Sequence, residues 1–153
     1  MSDINVRDAT VDDVDALAPL FDGYRQFYGQ PSDISKASEF LRARLTNGES
    51  KILIAERGGD GRAVGFVQIY PSFSSVRCKP IWILNDLFVA SDARRLGVGD
   101  SLMAVTDASA RDAAVAYVTL TTAHTNHTAQ RLYERSGYEL DQEFRTYTRM
   151  IGP

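Results

Sequence analysis

Val89-Ala90-Ser91-Asp92-Ala93-Arg94-Arg95-Leu96-Gly97-Val98-Gly99 is the most informative stretch of the chain. It follows Ile81 to Val89 (IWILNDLFV), a run apolar on both faces except at Asn85 and Asp86, which predicts a buried strand. It leads into a helical pattern from Gly97 to about Ala113, with Val98, Leu102 and Val105 on one face. A strand gives way to a basic turn, and two glycines open a helix. Amides at a helix N-terminus lack intrahelical acceptors, and the dipole adds about half a positive charge there. Glycines let an anion approach the backbone, and Arg94 and Arg95 can add charge-assisted hydrogen bonds. A dinucleotide fingerprint would need a small residue where Leu102 stands, and a P-loop would need a lysine that does not follow Gly99. The pattern predicts a phosphate-binding turn. In the plainer alternative, Gly97 and Gly99 serve only a tight turn and close helix packing, and one arginine is solvated surface charge.

Working outward, Ile4 and Val6 alternate with polar neighbours in a short opening strand. Thr10 and Asp13 form a capping box for a helix carrying Val14, Leu17, Phe21, Tyr24 and Tyr28. Pro31-Ser32-Asp33 ends it and caps a second helix with Ile34, Ala37, Leu41 and Leu45, stopped by Asn47-Gly48. Lys51 to Arg57 and Ala63 to Tyr70 read as a hairpin, followed by a Ser-rich loop from Pro71 to Lys79. After the glycine-led helix come a strand from Val115 to Thr121 and a short helix from Asn126 to Arg135, which Gly137 ends. One or two closing strands are expected from Tyr138 to Ile151, around an Asp141-Gln142-Glu143 turn. The order β-α-α-β-β-β-α-β-α-β defines an α/β domain, with a mixed sheet and helices on both faces.

The 153 residues predict one domain, residues 1–153, without linkers or repeats. Hydrophobic residues at 44% and charged residues at 24% exclude a disordered or fibrous chain. A net charge of −3 argues against a general nucleic-acid binder. The longest apolar run, Ala113 to Val118, is far short of a membrane span, and the N-terminus lacks a signal-peptide pattern. With Cys78 the sole cysteine, a reducing, cytoplasmic setting is expected.

Arg-x-x-Gly-x-Gly after a strand resembles the acyl-CoA pyrophosphate loop of the GNAT superfamily of N-acetyltransferases. Downstream, Asn126, Ala129, Leu132-Tyr133-Glu134 and Gly137-Tyr138 resemble that superfamily's second conserved block. The two blocks cover roughly residues 80 to 139. The resemblance implies a mixed, mostly antiparallel sheet and an enzyme transferring acetyl from acetyl-CoA to a primary amine, without a metal. It implies that the backbone of Leu87, Phe88 and Val89 pairs with the pantetheine arm. Arg94, Arg95, Leu96, Gly97, Val98, Gly99 and Asp100 would form the pyrophosphate turn, Asn126 and Ala129 would contact the cofactor, and Tyr133 would be the acid near the thioester sulfur. Leu84 to Val89 is most similar to diamine acetyltransferases and related small bacterial amine acetyltransferases, with Asn85 where polyamine enzymes usually present a glutamate. Tyr24, Tyr28, Asn85 and Asp86 are the candidates for the acceptor wall.

The residues themselves leave plainer readings. Asn126 is also an N-cap, and Tyr133 alone reads as a core aromatic. His124 and His127 lack a nearby Cys, Asp or Glu at metal-ligand spacing. Strand alternation puts Asn85 and Asp86 on opposite faces unless a bulge intervenes. The apolar Phe144, Tyr147, Met150 and Ile151 either join two copies through their C-terminal strands, as the resemblance implies, or cap their own core. A non-catalytic acyl-CoA-binding or sensor module on the same fold is the functional alternative. A nucleotide-binding domain of another class is the third.

Overall fold

Thr10 begins the first helical run as its sequence dictates: its N–H donates to Asp13 Oδ2 at 2.7 Å, and its hydroxyl accepts from Asp12 N–H. A single 3₁₀ turn, Val11–Asp13, leads into α1 (Val14–Phe27). Asp33 caps α2 (Ile34–Thr46) by accepting from Lys36 N–H at 3.1 Å. The α1–α2 connection is pinned by buried Asp22, which accepts from the Ser32 hydroxyl and Asp33 N–H, both at 2.7 Å, and from Gln26 Nε2 at 3.0 Å. In this computed structural model residues 3–153 are described; the Met1–Ser2 end of the N-terminal reading lies outside them.

The sheet contains β1 (Ile4–Asp8), β2 (Lys51–Arg57), β3 (Ala63–Ser74), β4 (Lys79–Val89) and β5 (Val118–Thr119), in that spatial order. The first four pair antiparallel, and β5 joins β4 in parallel. Alternation along β2 splits its side chains between two cores. Ile52 and Ile54 pack with Phe66, Leu17, Phe21 and Leu41, beneath α1 and α2. Leu53 and Ala55 pack with Leu102, Met103 and Leu132, from α3 (Val98–Asp112) and α4 (His127–Arg135). The fold is therefore the expected α/β domain: a mixed, mostly antiparallel sheet with helices on both faces.

Register slips once between β3 and β4. Gln68 pairs with Asp86 and Ile69 with Leu84, leaving Asn85 as an extra residue. In an unbroken strand Leu84 and Asp86 would share a face; the bulge reverses that parity. Trp82 and Leu84 consequently join the α3 side, while Phe88 joins the α1–α2 side.

Three expected boundaries shift. The loop at Pro71–Lys79 is mostly strand, because β3 runs to Ser74 and Pro71 pairs with Trp82. The β2 ladder ends at Ile69, so Pro71 sits on a free edge where its missing N–H costs no hydrogen bond. The strand expected at Val115–Thr121 shrinks to Val118–Thr119, its ladder stopping at Ile83, just before the bulge bends β4. The closing strands expected from Tyr138 to Ile151 do not form. Asp141 makes the anticipated turn, accepting from Glu143 and Phe144 N–H at 2.8 and 3.1 Å, but no described strand pairs with residues 139–151. Phe144, Tyr147 and Ile151 are 77%, 86% and 85% exposed, so they do not cap their own core.

Candidate active site

The site is built on the end of β4. Ala90 N–H donates to Val64 O at 2.8 Å, and a methyl at Gly65 would lie 2.9 Å from the Phe88 carbonyl oxygen. Phe88 and Ala90 thus turn their polar backbone toward β3. Alternation directs the N–H and C=O of Leu87 and Val89 to the opposite edge. On that side β5 pairs only with Trp82 and Ile83. Among the described residues, no strand covers the edge from Leu84 to Val89. It can accept an extended ligand as an added strand.

The chain leaves this edge through a 3₁₀ turn, Ser91–Ala93, and enters the basic turn. Arg95 and Gly97 have φ of +66° and +80°, and Gly97 is the N-cap of α3 with no side-chain cap. The amides of the first helical turn, at Val98, Gly99 and Asp100, face outward without intrahelical acceptors. Gly99 also has a packing reason: its backbone approaches Leu132, to which an added methyl would lie at 3.0 Å. Asp100 would oppose an anion, but its carboxylate is drawn to Arg135 by hydrogen bonds of 2.9 and 3.0 Å, which hold it below the usual carboxylate range. That pair ties α3 to α4. Unlike Arg57, Arg62, Arg111 and Arg135, neither Arg94 nor Arg95 pairs with a described carboxylate. Arg94 folds back onto the Val89 carbonyl at 3.3 Å and over the Phe88 ring, whereas exposed Arg95 does neither. Exposed Leu96 completes the turn. The open edge and the uncapped turn suit the linear arm and phosphates of an acyl-CoA.

On α4, Asn126 is the N-cap, its Oδ1 accepting from Ala129 N–H at 3.2 Å. Gln130 Nε2 anchors the preceding loop through the carbonyls of Ala123 and His124. Tyr133 lies one turn beyond Ala129, half-buried beside Tyr138. Burial, with the nearby phenols of Tyr28 and Tyr138, pushes its pKa up to about 12. His124 and His127 are exposed, and no three His, Cys, Asp or Glu side chains converge among the described residues.

Below the open edge, a cleft of about 320 Å³ is lined by residues of α1, α2, β3 and β4. Asn85 and Asp86 both line it, correcting the opposite-face expectation through the bulge. Asp86 is only 2% exposed. Burial raises its pKa, against hydrogen bonds from Asn85 Nδ2 at 2.7 Å and from Gln68 Nε2 at 2.6 Å. Tyr24 donates its hydroxyl to the neighbouring Asn85 carbonyl at 3.1 Å. Tyr28 is exposed, with its ring 5.1 Å from that of Tyr24. Tyr24, Tyr28 and Tyr133 are close enough to interact electrostatically, which joins the cleft to α4.

Sequence reasoning missed Gln68, Tyr70, Arg25 and Lys36, all tied to this cleft. Only Gln68 left a signal, as a polar residue inside the apolar run AVGFVQIY. A wider cleft of about 630 Å³ lies between Asp8 and Leu45, with no lining residue from β4, α3 or α4.

Fold and site together define an acetyltransferase architecture. Residues 17–138 match the acetyltransferase (GNAT) family, and the chain belongs to that family. A Bacillus subtilis (strain 168) protein named uncharacterized N-acetyltransferase YhfO is 49% identical over 144 residues, 94% of this chain and 95% of that protein. A probable acetyltransferase of Haemophilus influenzae (strain ATCC 51907 / DSM 11121 / KW20 / Rd) is 34% identical over 90 residues, 59% of this chain and 61% of that one. The crystal structure of a probable acetyltransferase, 42% identical, superposes with a TM-score of 0.93 over 97% of this chain and 99% of its own. No described helix is long and apolar enough to cross a membrane.

Proposed function

We propose that the protein is an N-acetyltransferase that moves an acetyl group from acetyl-CoA to a primary amine, by direct transfer in a ternary complex. The open β4 edge at Leu87 and Val89, running into the uncapped N-terminus of α3, carries this reading. Leu87 and the Val89 N–H offer backbone groups to the pantetheine amides, with Phe88 between them, while the Val89 carbonyl accepts from Arg94. Arg95 and the amides from Gly97 to Asp100 hold the pyrophosphate, with Arg94 at its margin. Asn126 and small Ala129 border the arm.

Acetyl-CoA supplies an activated acetyl thioester. The acceptor arrives as an alkylammonium of pKa ~10, and must lose a proton before its nitrogen can bond to the carbonyl carbon. Asp86 takes that proton on the cleft floor. As the C–N bond forms, the C–S bond breaks and its electron pair leaves on sulfur. Two protons leave nitrogen in all, one ends on sulfur, and one passes to solvent. Tyr133 donates a hydrogen bond to the departing sulfur. With its pKa near 12, the phenol is too weak an acid to surrender its proton fully to a thiolate of pKa ~8.5. The test is an amine panel at fixed acetyl-CoA, read by free thiol. Thiol release with an acylated amine is expected; CoA binding with no release on any amine would identify a sensor instead.

The exposed C-terminal segment is covered by a second copy of the chain. Five apolar side chains, Leu140, Phe144, Tyr147, Met150 and Ile151, stand unburied after the last helix. In the sheet, β5 is an edge strand of two residues, ready to pair. Sedimentation at micromolar concentration should give a dimer, and Phe144→Ser with Tyr147→Ser a monomer. A wild-type monomer would refute the pairing. A reducing, cytoplasmic setting accords with exposed, unpaired Cys78.

A further inference from the structure

We infer that the amine acceptor carries a carboxylate, as an amino acid does, and that Arg25 and Lys36 hold that carboxylate while Asp86 and Asn85 receive the ammonium. This deepens the acetyltransferase reading and rests on it for the fate of the amine.

Arg25 of α1 and Lys36 of α2 both line the cleft whose floor is Asp86. Neither forms an ion pair with a described carboxylate. Arg25 Nη1 is buried with no hydrogen-bond partner. A buried charged donor left unpaired is costly, and it calls for an acceptor from outside the chain. Asp22 lies near Arg25 on the same helix, but its oxygens are occupied by Ser32, Asp33 and Gln26. Arg44, over the Phe40 ring, is already committed to Glu49 at 3.0 Å.

Asp86 is the one carboxyl among the cleft's lining residues. Two cations on the helical wall face one acid on the strand wall. Such a cleft repels a diamine, whose second ammonium would meet Arg25 or Lys36. It matches a molecule positive at one end and negative at the other. A guanidinium with a buried, unused N–H suits a carboxylate, which accepts such donors in pairs. The rings of Phe21, Tyr24, Phe40 and Tyr70 wall the space between the charged ends, and favour methylenes or an apolar side chain there.

The test compares an amino acid, its amide, an aminoalkyl phosphonate, a simple alkylamine and a diamine at fixed acetyl-CoA. In parallel, titration calorimetry follows binding of the amino acid to CoA-saturated protein. The amino acid should exceed its amide by about tenfold or more in kcat/KM, and exceed the diamine. Arg25→Gln should bring amino acid and amide to near parity, chiefly through KM, and Arg25→Lys should recover part of the preference. Should Arg25→Gln not fold, Lys36→Gln carries the same comparison. Preference for the phosphonate would replace the carboxylate by a phosphate-like group and overturn the assignment. So would a preferred diamine, equal use of amino acid and amide, or no binding of any amino acid. Arginine-dependent amino-acid binding without transfer would uphold the carboxylate site and refute the transferase reading. Transfer to simple amines without carboxylate preference would do the reverse.

Discussion

Gln68 Nε2 donates to Asp86 Oδ2 at 2.6 Å, across the last β3–β4 pair before the register shifts. Asn85, the residue that causes the shift, donates to the other carboxylate oxygen at 2.7 Å. The bulge therefore both turns Asp86 into the cleft and supplies one of the donors that stabilise its charged form. Burial raises the Asp86 pKa while these bonds pull it down, so removing a donor must raise it further. Activity should rise with pH through the Asp86 titration. Gln68→Leu should move that limb of kcat/KM upward, and Asp86→Asn should abolish it, with a loss of roughly 10²–10⁴ in kcat. A pH–rate profile of both variants checks this; a limb unmoved in Gln68→Leu assigns it to another group.

Tyr133→Phe keeps the ring beside Tyr138 and removes only the hydroxyl. If that hydroxyl stabilises the leaving sulfur, kcat should fall by about 10²-fold, as for loss of one transition-state donor. Acetyl-CoA affinity and melting temperature should barely change. Because the phenol titrates near 12, wild-type activity should show no Tyr133 limb in the neutral range. Wild-type turnover in the variant would make Tyr133 a packing residue.

Arg94 and Arg95 differ in posture: one is folded onto Val89 and Phe88, and the other is exposed in a left-handed conformation at the head of the turn. Replacing both by alanine should weaken acetyl-CoA binding by roughly 2–4 kcal/mol if both reach phosphate. Arg95→Ala should account for the larger share. Calorimetry on the single and double variants measures the split, and an unchanged Kd in the double variant would remove the turn from the phosphate site.

Gly65 leaves room for β4. A methyl there would lie 2.9 Å from the Phe88 carbonyl and 3.0 Å from Val98. The nearer atom is backbone and cannot rotate aside. Gly65→Ala should destabilise the fold by about 1–3 kcal/mol, as overpacking does. Urea denaturation reads this directly, and a wild-type midpoint would mean that the strands part more easily than their ladder implies.

The two least exposed of the depressed carboxylates, Asp22 and Asp13, contribute most to the acid limb of the stability. Hydrogen bonds from Ser32 and Asp33 hold Asp22 below the ordinary range, and Arg7 does the same for Asp13. A depressed folded-state pKa contributes stability that is fully present above the unfolded value of ~3.9, and lost as pH falls through the folded one. Asp86 has the opposite sign: its raised pKa makes the ionised form costly at neutral pH, and acid relieves that cost. Asp22→Asn should lower stability at neutral pH and flatten its decline in acid. Urea midpoints across that range provide the check, and an unaltered slope would discount the Asp22 anchor.

Local chemistry was legible in the linear chain. The Thr10 capping box, the Asp33 cap, the β2–β3 hairpin and the glycine-led start of α3 are each decided by residues close to one another in sequence. Short-range hydrogen bonding and side-chain period act the same way in any context, so these features survive folding unchanged. Tertiary structure decided what depends on a neighbour. Parity at Asn85 and Asp86 follows from pairing with β3, because a bulge is a relation between two strands and not a property of one. The closing strands failed because a strand exists only where a ladder receives it, and no described strand receives residues 139–151. Arg25, Lys36 and Asp86, spread over three elements, became one cleft only when α1 and α2 packed on the face that the bulge had turned toward them.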